Sequence, residues 1–456
     1  MNTAGITASM TGDNRTIAAI ATPMGRGALA IVRISGVDVQ RIAGILLDPA
    51  PAIPRHATHC SVFGANNEEI DDAVATLYVS PHSFTGEDLL EISTHGGLLV
   101  PASVLAAAIS AGARIAEPGE FTRRAVLNGK LDLLQAEAIG DLIDARSSAA
   151  HRLALRQLDG GLSRRIEGLR KRLLSLEALL AYDIDFPEED DGPVSRERIT
   201  QSAEELQGAL DALIATGEQG KLVHEGALVV LVGAPNVGKS SLFNALLGEA
   251  RAIVTEIPGT TRDAIEAMLD LPGWPLRLVD TAGLRTTTDI VERLGVEASS
   301  RYLQRAAIVL ACFDSEESAA TLVDLPKNTD GSIIKVATKA ELVPEGVKIQ
   351  ADISVSAHTG EGLSTLLEII EARLASEEGI PSLDAPILTR ARHQVAVSEA
   401  STQVREFVRA WQEDELPASV AATHIRAAAD ALGELIGGVH VDDVLDVVFR
   451  SFCVGK

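Results

Sequence analysis

Residues 233–240 read G-A-P-N-V-G-K-S, directly after the apolar run A-L-V-V-L-V and at the head of K-S-S-L-F-N-A-L-L-G. A G-x-x-x-x-G-K-S sequence in that setting leaves few folds open. A strand must feed a loop whose backbone N–H groups converge on an anion, and a helix must start where the loop ends. Gly233 and Gly238 let the backbone come close. Asn236, Val237, Gly238, Lys239, Ser240 and Ser241 then form a phosphate cradle, in which Lys239 reaches the β- and γ-phosphates and Ser240 offers a hydroxyl to Mg²⁺.

The elements expected beside such a loop follow in order. V-D-T-A-G (279–283) ends a second apolar run, so Asp280 is placed to hold Mg²⁺ through water and the Gly283 N–H to sense a γ-phosphate, with Thr281 and Ala282 between them. Thr255, Glu256, Ile257, Pro258, Gly259, Thr260 and Thr261 lie between the two motifs, and Thr261 is the natural threonine to complete the Mg²⁺ shell. Order and spacing predict a switch-type nucleotide hydrolase. Guanine recognition in such proteins commonly uses N-K-x-D after a strand. Here the matching stretch is Thr338-Lys339-Ala340-Glu341, with Thr for Asn and Glu for Asp. Glu341 still presents a carboxylate, one methylene longer, and Ser356-Ala357 fits the loop that supports the base. Guanine is the expected base, bound with reduced affinity.

The rest of the chain divides around this block. Residues 1–125 mix strands and helices: two strands around the Gly-Arg-Gly turn of 16–34, an apolar strand at A-V-A-T-L-Y-V-S, another ending L-L-E-I-S-T-H-G-G, and a helix near 98–111. From Leu131 apolar residues recur at three- and four-residue spacing, and the pattern returns in 162–182, 196–215, 392–412 and 420–436. The expected fold is multidomain α/β plus α. It has an N-terminal α+β domain (1–125), a helical domain in two halves (126–216 and 379–456), and an inserted P-loop domain with a mostly parallel sheet (217–378). Pro187 and Pro193 break the helices between the two halves of 162–215.

Composition bounds the function classes. With 456 residues, no apolar stretch of membrane-spanning length and a polar start, a soluble cytoplasmic protein is expected. A formal charge of −24 argues against non-specific binding to nucleic acid or anionic membranes. Cys60, Cys312 and Cys453 are too few and scattered for a disulfide framework or zinc site. Cys312 lies in an apolar strand and is expected in the core.

Taken together, these residues resemble the MnmE (TrmE) tRNA-modification GTPases. The resemblance spans A-T-P-M-G-R-G (21–27), V-R-I-S-G (32–36), H-S-F-T-G-E-D (82–88), H-G-G (95–97), P-G-E-F-T-R-R-A (118–125), N-G-K-L-D-L (128–133), D-F-P-E-E (185–189) and the terminal F-C-V-G-K (452–456). It implies a folate-binding N-terminal domain that dimerises, a helical domain and an inserted G domain. It also implies a flavoprotein partner, MnmG, which carries FAD and joins the homodimer in a heterotetramer. Together they would build an aminomethyl-type substituent, carboxymethylaminomethyl or aminomethyl, on carbon 5 of the tRNA wobble uridine. The one-carbon unit would come from 5-formyl- or methylene-tetrahydrofolate.

The position that orients water in Ras-like enzymes is Leu284 here, which cannot do so. The resemblance supplies K⁺ instead, with Asn236, Thr255, Ile257 and Thr260 as its ligands, and Glu292 to position water. Read from its own neighbourhood, Glu292 is a solvated helix residue. Arg33, Glu91, Lys130 and Lys456 match the family's folate site, and Cys453 the modification chemistry; alone, the first three read as surface ion-pair residues. The cations of 152–172 read as a solvated helix face or a contact for tRNA or partner. Two other readings stand beside this one: a regulatory switch GTPase such as a ribosome-assembly factor, and a folate-binding one-carbon protein whose G domain has lost guanine selectivity.

Overall fold

The computed structural model describes residues 15–185, 195–249, 252–253, 265–271, 274–280, 302–320, 332–343, 350–378, 385–412, 418–437, 452, 454 and 455. Two compact units emerge: residues 1–140 with 436–456, and residues 141–435.

The first unit is a mixed sheet with helices against it. Its strands are β1 (Ile17–Ile20), β2 (Leu29–Ser35), β3 (Leu47–Asp48), β4 (Thr58–Phe63), β5 (Glu69–Tyr78), β6 (Leu89–His95) and β7 (Arg114–Ile115), in spatial order β3-β4-β5-β6-β2-β1-β7. Strand β2 runs antiparallel to both β1 and β6. Alternation sorts the faces: Ala30, Val32 and Ile34 turn inward, while Ile31 and Arg33 remain half-buried on the other side. Helices α1 (Val39–Leu46) and α2 (Leu99–Ser110) cover the inner face through Val39, Ile42, Leu46, Val104 and Ala108. Helices α3 (Glu120–Leu127) and α4 (Leu133–Asp144) follow. The helix and strand at 39–48 and the strands at 58–63 and 114–115 give no clear sequence signal; β1, β2, β5, β6 and α2 match the expected elements.

The expected run from Leu131 to Leu158 is two helices, α4 and, in the second unit, α5 (Ser148–Leu158). Ser147 ends the continuity: its side chain accepts the Ala150 N–H at 3.0 Å and caps α5. Helices α6 (Gly161–Asp185) and α7 (Arg196–Ile214) come before the α/β block, and α12 (Ala391–Gln412) and α13 (Ala418–Leu435) after it. These four pack together: α12 on α7 and α13, α13 on α6. The buried positions of α12, from Val397 and Ala400 through Val404, Phe407 and Trp411, keep helical spacing. Phe407 stacks on Trp411 at 5.7 Å, and the Arg196 guanidinium lies 4.7 Å above the Trp411 ring.

The block between is reached through α8 (Gly217–Glu225). It contains β8 (Ala227–Val232), α9 (Lys239–Glu249), β9 (Ala252–Ile253), β10 (Ile265–Asp270), β11 (Pro275–Asp280), β12 (Ile308–Phe313), α10 (Glu316–Ala320), β13 (Ser332–Ala337), β14 (Ile353–Ser354) and α11 (Leu363–Glu378). The sheet order is β14-β13-β12-β8-β11-β10-β9. Every pairing from β14 through β11 is parallel; β10 and β9 are antiparallel additions. All six residues of β8 are buried, as a central parallel strand covered on both faces requires. Val229 and Leu231 face α9 and α11; Val230 and Val232 face the opposite cluster with Tyr302.

Both crossings between helices and block are pinned to the same carboxylate. Asp141, at the end of α4, accepts His224 Nε2 of α8 at 3.0 Å and an Arg390 N–H from the segment leading into α12. Gln157 Nε2 holds the same outbound segment through Ile387 O (3.2 Å) and Thr389 Oγ1 (3.1 Å). Burial by itself would raise the Asp141 carboxyl; the hydrogen bonds from His224 and Arg390 outweigh it and hold the group below the usual range.

Asp141→Asn should therefore cost about 1.5–3 kcal/mol at neutral pH, since it removes the buried charge that receives the partly exposed Arg390 and His224 side chains. The folded carboxyl lies below its unfolded value of about 3.9. Its contribution is thus full above that value and lost as pH falls through the folded one. Thermal midpoints of wild type and variant should differ at pH 7 and converge in acid.

Candidate functional site

The carboxyl ends of β8, β11, β12 and β13 meet at one edge of the sheet, where open α/β sheets bind ligands. The loop leaves β8 through Gly233 at φ 149°, and a Cβ there would lie 2.2 Å from the Cys312 carbonyl oxygen at the end of β12. Only glycine permits that approach. Asn236 (φ 63°) and Gly238 (φ 96°) complete the turn in left-handed conformations. Lys239 opens α9 and is 7% exposed; its ammonium donates to Gly233 O at 2.9 Å and Ala234 O at 2.8 Å. Ser240 Oγ donates to Asp280 Oδ2 at 2.6 Å, joining the first turn of α9 to the end of β11. Asp280 is 1% exposed. A hydroxyl and a buried carboxylate side by side form a hard oxygen pair of the kind Mg²⁺ takes.

The T-K-A-E stretch sits beside this loop. Thr338 is buried, and its hydroxyl lies within hydrogen-bond reach of Val237 O in the phosphate loop and of Phe313 O at 3.1 Å. Lys339 (φ 56°) donates to Asn236 O at 2.8 Å and Asp314 Oδ2 at 2.7 Å. The hydrogen bond from Lys339 holds the Asp314 carboxyl below the usual range. Glu341 follows in a short 3-10 turn, exposed, with the Ser356 hydroxyl bonded to its carboxylate and lowering its pKa. Ser356 Oγ also accepts the Thr359 N–H at 3.0 Å. Gly238, Thr338, Lys339, Glu341, Ala357 and His358 enclose a cavity of about 330 Å³. That lies at the small end of the size range of small-molecule sites. His358, in the same S-A-H-T-G-E-G loop (356–362) expected to support the base, joins the wall.

The structure thus brings together Asn236, Val237, Gly238, Lys239, Ser240, Ser241, Asp280, Lys339, Glu341, Ser356 and Ala357 at one edge. Thr255, Glu256, Ile257, Pro258, Gly259, Thr260, Thr261, Thr281, Ala282, Gly283 and Glu292 lie outside the described residues. Cys312 is fully buried, and desolvation pushes its thiol up to about 12, which makes it inert core.

A second constellation occupies the first unit. Arg33 and Glu91 face each other across β2 and β6, with Arg33 Nε 2.8 Å and Nη2 2.7 Å from Glu91 Oε1. The Phe84 ring lies 5.8 Å from the Arg33 guanidinium. Burial first, and then the charge and hydrogen bond of Glu91, raise the Tyr78 hydroxyl pKa. Lys130 Nζ donates to Pro81 O at 3.0 Å, and Asn128 Nδ2 to Thr85 O at 2.7 Å, so the loop carrying Phe84 is tied to the segment carrying Lys130. Tyr78 and Phe84 escaped sequence reasoning, although Phe84 sits inside H-S-F-T-G-E-D; strand register, not pattern, brings Tyr78 to Glu91. The C-terminal segment docks on this unit too. Val454 bridges Pro118, the Phe452 ring lies 3.4 Å from a Cβ built on Gly140, and a Cβ on Gly455 (φ 97°) would fall 2.5 Å from Ile20 O. Cys453 and Lys456 lie outside the described residues. Among the described residues, no cluster of His, Cys, Asp and Glu has metal-holding geometry, and no helix is long and apolar enough to cross a membrane.

Comparison with known proteins covers nearly the whole chain. A family model described as the MnmE helical domain matches residues 133–453, and one described as the GTP-binding protein TrmE N-terminus matches residues 16–130. The tRNA modification GTPase MnmE of Aquifex aeolicus is 41% identical over 450 residues, covering 96% of this chain and 99% of that protein. The protein of the same name from Moorella thermoacetica is 41% identical over 464 residues, covering 97% and 99%. Among solved structures, the G domain of the T. maritima FeoB iron transporter is 28% identical, covers 32% of this chain and 98% of its own, and has a TM-score of 0.26.

Thr338→Val keeps the shape and removes the hydroxyl, leaving Val237 O and Phe313 O without that partner. The loss of about 1–3 kcal/mol should weaken GTP binding about 5- to 150-fold in a fluorescent-nucleotide titration. Unchanged affinity would show that Thr338 does not hold the phosphate loop.

Proposed function

The chain belongs to the MnmE family of tRNA modification GTPases, and from that premise we propose that it hydrolyses GTP at the 233–240 loop to drive modification of the tRNA wobble uridine. The observation that carries this reading is the convergence of three groups on one sheet edge: Lys239, the Ser240–Asp280 pair, and the cavity between Lys339 and Glu341. Loop N–H groups and Lys239 bind the phosphates, exchanging the carbonyls of Gly233 and Ala234 for phosphate oxygens. Ser240, with Asp280 behind it and Thr261 joining, would hold Mg²⁺, which when bound neutralises charge on the β- and γ-phosphates. Glu341, aligned by Ser356, accepts the guanine edge, while Lys339 and Ala357 line the base.

Leu284 replaces the water-orienting residue, so Glu292 takes that role. Asn236, Thr255, Ile257 and Thr260 would hold K⁺, which when bound offsets charge as an arginine finger does. Of these four only Asn236 is described; it is exposed on the loop, and its carbonyl is engaged by Lys339, which leaves its side-chain amide oxygen for a cation.

The family resemblance extends the reading to the first unit. Arg33, Glu91 and Lys130 bind a tetrahydrofolate derivative, with Lys456 contributing: the carboxylate suits the pterin and the cations the glutamate tail. The observed Arg33–Glu91 pair over Phe84, tied through the 81–86 loop to Lys130, supports one site for all three. Cys453 acts in the modification chemistry. The protein works as a cytoplasmic homodimer with the flavoprotein MnmG, which brings FAD and much of the tRNA affinity. The domains act as 1–125 for folate and dimerisation, 217–378 for GTP, and 126–216 with 379–456 as the helical frame.

Phosphate release from GTP in KCl and NaCl at equal ionic strength, with ATP as control, tests this. Strong acceleration by K⁺ with GTP alone is expected, and Glu292→Ala should abolish it. Equal rates in both salts would remove the K⁺ mechanism, and equal hydrolysis of ATP would remove guanine selectivity. In parallel, Arg33→Ala should abolish binding of 5-formyltetrahydrofolate by calorimetry and leave GTP hydrolysis unchanged.

A further inference from the structure

The chain as a whole carries −24, yet residues 148–172 hold seven Arg and Lys against two acids, Asp159 and Glu167. The fold displays this inversion. On α5, Ala149, Leu153 and Ala154 turn into the core, leaving His151, Arg152 and Arg156 exposed. On α6, Leu162, Ile166, Leu169 and Leu173 turn inward, leaving Arg164, Arg165, Lys171 and Arg172 exposed. The two helices meet at a tight corner: Arg156 O lies 3.1 Å from a Cβ built on Gly161, and Arg164 Nη1 donates to Asp159 O at 2.6 Å.

Neutralisation is uneven along this face. Lys171 pairs with Glu167 at 2.8 Å, and Arg172 reaches Glu205 at 3.6 Å. Among the described residues, Arg152, Arg164 and Arg165 have no carboxylate partner. Local helix physics does not favour this arrangement. Helix α6 opens without an acid in its first turn and places Arg164 and Arg165 at its fourth and fifth positions, toward the positive end of the helix dipole. Residues that break a local rule without a folding gain point to a ligand.

We propose that the exposed α5–α6 corner, through Arg152, Arg164 and Arg165, is a contact surface for the phosphate backbone of tRNA. Guanidinium groups recognise phosphate oxygens bidentately, and a small cationic face on an otherwise anionic protein directs an RNA to one place. The contact positions the RNA without reading its sequence. The inference rests on the tRNA reading above. It adds a location and an electrostatic signature.

The test uses the full chain, a tRNA transcript, and the double variant Arg152→Ala/Arg165→Ala. Each lost phosphate contact should lower the slope of log affinity against log salt by about 0.7–0.9, so the double variant should lose about 1.4–1.8. Its affinity advantage at low salt should shrink correspondingly, by about tenfold between roughly 50 and roughly 200 mM. Arg152→Lys/Arg165→Lys should recover most of the slope, and GTP hydrolysis without tRNA should not change. If wild type and the alanine variant bind tRNA with equal affinity and slope, the surface is wrong and the tRNA reading stands. If wild type binds no tRNA even at low salt, the surface is overturned, and the tRNA reading falls only if tRNA also fails to bind the chain together with its flavoprotein partner. If tRNA binding is unchanged but binding of the flavoprotein partner is lost, the corner is a protein-docking face and the proposal fails.

Discussion

The carbonyl of Cys312 occupies the space that any side chain at position 233 would need. That contact sets the geometry of the nucleotide edge. Because β8 and β12 run parallel in tight register, the loop leaving β8 is forced across the end of β12 and must turn back through left-handed residues to start α9. The turn points Lys239 back at the loop and Ser240 across to Asp280. Asp280 is in place because β11 lies on the other side of β8, with Asp280 opposite Leu231. A fully buried six-residue strand thus fixes where Lys239, Ser240 and Asp280 start.

The departure at Thr338 and Glu341 is best understood from the same edge. An asparagine's amide would bring more hydrogen-bonding capacity than Thr338, whose one hydroxyl proton serves two facing carbonyls, Val237 O and Phe313 O. The phosphate loop remains fastened, because Lys339 adds a second tie through Asn236 O. Thr338 commits its hydroxyl to those two carbonyls, and Glu341 is the carboxylate that lines the cavity beside it. A flexible carboxylate with one anchored oxygen can still accept from a guanine edge, at some loss of side-chain entropy.

Much of this was legible in the sequence because local rules and tertiary demands agree there. The Gly-rich loop, the apolar strands and the amphipathic period of α6, α7 and α12 each answer a single physical demand: backbone access, two-sided burial, one-sided burial. The split between α4 and α5 was not legible, because a serine cap interrupts the apolar rhythm without a proline or glycine to announce it. The Arg33–Glu91 pair could be named but not joined, since its register comes from antiparallel pairing of β2 with β6, and Tyr78 and Phe84 enter only through that pairing. Asp141 gave no signal at all. Its partners are 83 and 249 residues away, and a lone acid at a helix end reads as solvated.

That last residue bears on how an inserted block can work inside a helical frame. A nucleotide-binding block joined by two loose linkers would dissipate any rearrangement in the linkers themselves. Here neither crossing is loose. Helix α8 runs directly into β8, and its Gly220 is packed so closely that a Cβ would lie 2.0 Å from Leu388 O of the outbound segment. Inbound helix and outbound segment are therefore in backbone contact, and both are bonded to one buried carboxylate on α4. Burying a charge is costly unless its partners are fixed, so the Asp141 network favours a single arrangement of the two crossings over a family of them. A displacement of β8 relative to the helices must then strain or break that network rather than bend a hinge within it.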